Sequence, residues 1–125
     1  MEKTFVETRN FTERFGEYLD DDGYAALQQA LLDNPDKGAV MQGCCGLRKL
    51  RVADSRRQKG KRGGARVIYV HVSEVNWIIL LDIYGKHEKD DLSADEKRSL
   101  KKLVQELRQE AIARAQRSSK RGNDE

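Results

Sequence analysis

The 125-residue chain contains one proline, one tryptophan, two cysteines and two histidines, and aromatic residues make up only 6% of it. Each scarcity excludes something. The cysteines, Cys44 and Cys45, are neighbours; a bridge between adjacent residues is strained, and two thiols fall short of the four ligands of a structural zinc site. Neither a disulfide framework nor a zinc fold is expected, and free thiols fit a reducing, cytoplasmic setting. The longest uninterrupted apolar run, Trp77 to Leu81, is far shorter than the roughly 20 residues that span a bilayer, so no transmembrane helix or membrane partner is expected. The N-terminus alternates charged and apolar residues without an apolar signal core, which argues against export. A phosphate loop, a dinucleotide fingerprint and a Gly-x-Ser-x-Gly elbow are all missing. His71 and His87 stand in no metal-binding spacing, and most acidic residues fall at helix starts or exposed helical positions. Chemistry without metal or cofactor is therefore expected.

What is abundant is charge. Charged residues make up 36% of the chain and hydrophobic ones 38%, with a net charge of +3. That modest sum hides an uneven distribution. Residues 1–47 carry four basic and nine acidic side chains, residues 48–66 carry nine and one, and residues 67–125 carry eleven of each. One short segment thus exceeds the net charge of the whole chain, a local field suited to a polyanion or to a solvated basic loop.

The length fits one domain. Thr4 to Glu7 predicts a strand. Asn10 with Glu13 three residues on resembles a capping box, and Phe11, Phe15, Tyr18 and Leu19 follow at helical spacing, so a first helix is expected from Asn10 to about Leu19. Asp20 to Asp22 suit the start of a second helix with a Tyr24, Leu27, Leu31 stripe, ended by Asn34-Pro35. Residues 36–46, with three glycines, read as a connector. In the strand Leu47 to Ala53, period two puts Leu50 and Val52 on one face, Lys49 and Arg51 on the other. Residues 54–64 lack apolar side chains and read as a long mobile loop. Strands Ala65 to Val72 and Val75 to Tyr84 follow; the near-continuous apolarity of the second marks a central strand covered on both faces. Ser93 with Glu96 opens a last amphipathic helix carrying Leu100, Leu103, Val104, Leu107 and Ala111. Residues 1–116 are expected to form the domain and 117–125 a flexible polar tail. The expected fold is α+β, a small antiparallel sheet in the order β-α-α-β-β-β-α, with the first strand at an edge and helices covering one face.

The candidate chemistry is cationic. Lys49 and Arg51, Arg66 at the start of the next strand, and Lys86 and His87 after the last can converge on one end of the sheet and make a phosphate-binding concavity. Cutting RNA without metal requires the 2′-OH held in line, its proton removed, the phosphorane charge neutralised and the 5′-oxygen protonated. Lysine, arginine, histidine and tyrosine divide those tasks. Alternating cations on a half-exposed strand are also ordinary solvating residues. His71 sits inside an apolar strand and reads as packed or at an edge, which leaves His87 as the better acid or base. Tyr84 fits packing as well as chemistry. Arg48, Arg56, Arg57, Lys59, Lys61 and Arg62 read as non-specific RNA phosphate contacts.

The run Gly46 to Val52, the basic loop, Gly63 to Tyr69, and Leu81 to Lys89 followed by Asp91-Leu-Ser93 resemble, in this order, the RelE/HigB superfamily, and within it HigB-type toxins of bacterial toxin–antitoxin pairs. The resemblance covers about residues 3 to 112. It implies a RelE-like fold and a ribosome-dependent mRNA interferase that enters the ribosomal A site, cuts the bound codon and is held inactive by a helix-turn-helix, HigA-type antitoxin. By position, Lys49 and Arg51 match the strand cations of the family site and Arg66 its phosphate-binding arginine. His87 follows Gly-Lys where relatives place a basic or polar residue, and Tyr84 and Lys86 complete the set. Where relatives use arginine, charge stabilisation is implied, whereas histidine can itself transfer protons. Two further readings remain: a ParE-like inhibitor that binds DNA gyrase without cutting anything, and a basic RNA-binding module.

Overall fold

A computed structural model of the chain describes residues 2–123. The elements are β1 (Thr4–Glu7), α1 (Arg9–Arg14), a 3-10 turn (Phe15–Glu17), α2 (Asp21–Asp33), β2 (Ala39–Val40), β3 (Arg48–Val52), β4 (Ala65–Val72), β5 (Trp77–Gly85) and α3 (Ala94–Asn123). They form one five-stranded sheet in the order β1-β5-β4-β3-β2. The α+β class and the edge position of β1 agree with the sequence reading. So does the central place of β5, whose apolar side chains are buried on both faces.

Several particulars differ. The sheet is mixed, because β1 runs parallel to β5 while all other neighbours are antiparallel. Strand β3 is antiparallel to β4 and β4 to β5, so β3 and β5 run the same way, and β1 joins the outer edge of β5 in that direction. Both faces are covered, whereas helices were expected on one. Phe11, Tyr18, Leu19, Leu27 and Leu31 pack against Leu50, Val67, Tyr69 and Leu80 on one side. Val104 with Leu100, Leu103 and Leu107 covers Ile68, Val70, Ile79 and Leu81 on the other. A strand with two apolar faces needs two covers, and among the described residues α3 is the remaining element with a long apolar stripe.

The first helix starts earlier than expected and is shorter. Thr8, extended at φ −75° and ψ 160°, is its N-cap, accepting from the Phe11 N–H. Asn10 instead donates to Asp82 at 2.8 Å, and Glu13 pairs with Arg9. Asp20 caps α2 by accepting from the Gly23 N–H at 2.8 Å, as the acidic triplet suggested. The connector 36–46 holds the extra strand β2, paired with Arg48 and Lys49. Ser93 and Glu96 do form a reciprocal capping box, at 2.9 and 3.1 Å. Helix α3 continues to Asn123, past the end expected near Gln116; residues 124 and 125 of the expected tail lie outside the described residues.

One irregularity positions the candidate site. Ile68 faces Asp82 but Tyr69 faces Leu80, so β5 carries an extra residue at Leu81. This bulge inverts the alternation. Ile78 and Leu80 face the α1–α2 side, and beyond the bulge Ile83 does so, which turns Tyr84 toward the α3 side.

Candidate functional site

Arg51, Arg66 and Tyr84 lie in register across β3, β4 and β5. Lys49, two residues from Arg51, shares its face by the alternation of the strand. Four of the six expected catalytic residues are therefore brought together on the α3 side of the sheet. Their environments differ sharply. Arg51 is exposed, and its side chain makes no hydrogen bond or ion pair with the described residues. Lys49 is half-buried, its Nζ 3.3 Å from an Asp91 carboxylate oxygen. Arg66 is only 4% exposed. Its guanidinium donates to the carbonyls of Lys61 (3.1 Å), Ala65 (3.2 Å) and Arg62 (3.0 Å), tying down the end of the basic loop. Burial, reinforced by the neighbouring charge of Arg51, draws its pKa below the usual arginine value.

Tyr84 is fully buried, and its hydroxyl has no partner among the described residues. Lys89 Nζ lies 5.2 Å from its ring centroid. Burial, assisted by the charge of Asp91, pushes the phenol up to about 12, so near neutral pH it stays protonated and acts as a donor, not a base.

His87 stands apart from these residues. A Cβ on Gly85 would collide with the His87 ring and approach Tyr18 Cε1 to 3.1 Å, and Tyr18 belongs to the α1–α2 side of the core. The imidazole is exposed at the end of β5, 6.5 Å from the Tyr18 ring, around the strand end from Arg66. Lys86 is exposed beside it, 3.8 Å from Asp90, and its N–H reaches the Gly64 carbonyl at 2.9 Å.

The six expected RNA contacts divide in two. Arg48 faces Tyr69 across the ladder and donates to the carbonyls of Asp36 and Gly38 at 3.0 and 2.7 Å, bracing β2. Arg56 donates to the Gly16 carbonyl at 3.3 Å. Arg57 donates to the Glu17 carbonyl at 2.9 Å and lies over the Tyr18 ring. These three brace the fold. Lys59, Lys61 and Arg62 are exposed, with side chains that make no hydrogen bond or ion pair among the described residues. The loop that carries them is built rather than plain. Buried Asp54 accepts from the N–H and the guanidinium of Arg57 at 2.9 and 3.1 Å, and Asp54 and Lys59 form a β-bridge. Its sequence signal was the single acid in a basic run, a residue that caps its own turn.

Sequence reasoning missed Asp91. Hydrogen bonds from Lys97, from the Leu92 N–H and from Lys49 hold its carboxyl at about 2, below the ordinary value of 3.8. Lys97 reaches it at 2.9 Å from α3, and Lys89 meets Glu96 at 2.6 Å nearby. The start of α3 is thereby tied to β3 and to the connector after β5. Asp91 stands in the Asp-Leu-Ser stretch just before the capping box, so its signal was present but carried no assigned role.

Chemically, this face offers two accessible strand cations, a buried phenol donor and a rigid basic loop, with an imidazole at the rim. That set carries the charge and the donor with which a protein can neutralise a phosphate group.

No protein-family model matches the chain. Among solved structures, a free-state double arginine-to-alanine mutant of the E. coli toxin RelE is similar with a TM-score of 0.51 at 14% identity, over 72% of this chain and 90% of that one. The isolated E. coli RelE toxin scores 0.48 at 12% identity, over 82% of this chain and 99% of that one. The intact E. coli RelBE toxin–antitoxin complex scores 0.47 at 13% identity, over 67% and 96%. At such identities the likeness concerns architecture, and the first structure carries it: the chain has a RelE-like α+β fold.

Proposed function

We propose that the chain is the toxin of a type II toxin–antitoxin pair, an endoribonuclease that cuts translated mRNA in the ribosomal A site by attack of the 2′-OH, without a metal. The observation that carries this reading is the row of Arg51, Arg66 and Tyr84 with Lys49 beside it. It supplies positive charge and a donor on one side of a rigid sheet, where a phosphorane needs them. The ordered likeness of the sequence motifs to HigB-type toxins supports the same reading. Lys49 and Arg51 neutralise the scissile phosphate, Arg66 fixes the loop that lines it, Tyr84 donates from below, and Lys86 and His87 act at the rim. Lys59, Lys61 and Arg62 hold ribosomal RNA by phosphate contacts. The ribosome supplies the substrate geometry, so free RNA is a poor substrate. The protein works in the bacterial cytoplasm and meets a HigA-type helix-turn-helix antitoxin. Among the described residues no helix is long and apolar enough to cross a membrane.

One observation favours a second, non-enzymatic reading as a ParE-like gyrase inhibitor: the Arg66 guanidinium is already engaged, and His87 lies around the strand end from it. Two assays run side by side separate the readings. The first maps 5′ ends on a message translated in a reconstituted system, and the second follows DNA supercoiling by gyrase. Cuts within translated codons support the nuclease, whereas blocked supercoiling with intact message replaces it.

A further inference from the structure

Ion pairing is uneven along the chain. Among the described residues the acidic side chains without an ion-pair partner are Glu106 and, apart from it, only residues between positions 2 and 33. That stretch builds β1, α1 and α2, which contribute nothing to the row of cations. Two of its unpaired carboxylates meet at one depression. It measures about 310 Å³, lies between the end of β1, the 3-10 turn and the start of α2, and is lined by Glu7, Phe15, Asp21, Tyr24 and Gln28, with no basic side chain among its walls.

The walls are aromatic as well as acidic. Phe15 and Tyr24 are half-buried and meet edge to face with ring centroids 4.7 Å apart, while Phe15 stacks on Phe11 at 5.5 Å. Glu7 accepts from the hydroxyls of Thr12 and Tyr24, one on each carboxylate oxygen, and is thereby held at the rim. The dipole of α2 accounts for Asp21 in its first turn. It does not account for Glu7, which belongs to another element. At 100° per residue, Asp21, Tyr24 and Gln28 stand on the opposite side of α2 from Gly23, Leu27 and Ala30, which turn toward β3.

We propose that this depression docks an arginine side chain presented by a basic segment of a partner protein, with the guanidinium against the Phe15 and Tyr24 rings and its N–H groups shared between Glu7 and Asp21. An aromatic ring attracts a cation through its face, and a flat guanidinium stacks there while its fork of donors reaches carboxylates. Charge complementarity names the class of partner: the same carboxylates repel a nucleic acid. Because the strand cations lie beyond α2, the dock leaves them free for a polyanion. The inference stands without the nuclease reading.

The test uses the full chain, isotopically labelled, titrated with the capped peptide Gly-Arg-Gly-Arg-Gly and followed by backbone amide shifts. Saturable shifts concentrated at residues 7, 15 and 21–28 are expected. Binding should weaken about threefold or more in Phe15→Leu, which removes the ring and keeps the apolar bulk, and likewise when lysine replaces arginine in the peptide. It should weaken about tenfold or more in Gln28→Lys, which sets a cation among the walls; lysine is as good a helix former as glutamine, so this variant folds. No saturable shift at millimolar peptide overturns the proposal, and so does binding indifferent to both substitutions, which would be diffuse charge attraction. Shifts at the same residues that grow with protein concentration alone overturn it in favour of a second copy of the chain, and shifts there with an oligouridylate overturn it in favour of RNA. Failure to cut translated message sinks the toxin reading and leaves this dock standing.

Discussion

Lys49 of β3 and Asp91 of the connector before α3 meet at 3.3 Å, so the strand cation assigned to the phosphate already holds an internal anion. Asp91 also binds Lys97 at 2.9 Å, and a phosphate reaching Lys49 must displace or share this carboxylate. Asp91→Asn should therefore tighten binding of short RNA. By fluorescence anisotropy, the slope of log affinity against log salt should steepen by about one phosphate contact. Stability should fall by less than about 1 kcal/mol, since the pair is half exposed and screened. Unchanged affinity and slope would mean that Lys49 does not meet phosphate.

The same carboxylate gives a pH signature. Its folded value, about 2, lies below the ordinary 3.8. A depressed carboxylate stabilises the folded state at full strength above its unfolded value, and the contribution disappears as pH falls through the folded one. The difference in urea midpoint between the wild type and Asp91→Asn should be constant above roughly pH 5 and shrink toward zero near pH 2. A difference that grows on acidification would contradict the ion-pair network.

Arg66 is argued to act by holding the loop, not by touching phosphate. Removing it strands the carbonyls of Lys61, Arg62 and Ala65, and Arg66→Ala should cost about 1–3 kcal/mol. Arg66→Lys keeps the charge but, as a point donor, cannot span the three acceptors. Both variants should lose hydrogen-exchange protection in residues 59–65 while RNA affinity falls less than in Arg51→Ala. An equal loss of affinity without any change in exchange would return Arg66 to the phosphate.

Tyr84→Phe separates packing from chemistry. The hydroxyl is buried without a partner, so its removal should leave stability within about 0.5 kcal/mol or raise it slightly. If the phenol donates to the reacting phosphate, cleavage falls by about tenfold or more at unchanged stability. A large stability loss would show that the hydroxyl is engaged after all.

These residues also mark how far the sequence could be read. Period two correctly separated Lys49 and Arg51 from Leu50 and Val52, and the Ser93 and Glu96 box located the start of α3, because both signals are local. The bulge at Leu81 was invisible: nothing in an all-apolar run marks which residue is left over, yet that residue decides the face of Tyr84. Carrying the uninterrupted alternation past it would send Tyr84 to the wrong side. The parallel direction of β1 and the placement of α3 opposite the helical pair depend on chain routing, which periodicity does not encode. Arg66 was legible as a strand-start cation, but two of its three carbonyl acceptors, Lys61 and Arg62, come from a loop whose fold turns on Asp54. His87 was legible as the exposed imidazole, not as a ring lying over Gly85.

For His87 the outcome expected under the nuclease reading is a loss of about 10²-fold of the cleavage rate in His87→Gln at unchanged stability. An unchanged rate would remove His87 from the chemistry and leave proton transfer to solvent or to the ribosome.

The central claim is that the cations on the α3 side of the sheet drive attack by a message's own 2′-OH. End-group analysis of RNA from ribosomal complexes holding one defined codon in the A site tests it most directly. The account expects a cut within that codon leaving a 2′,3′-cyclic phosphate, absent when Lys49 and Arg51 are both alanine. A 5′-phosphate product, or intact codons beside arrested growth, would contradict it.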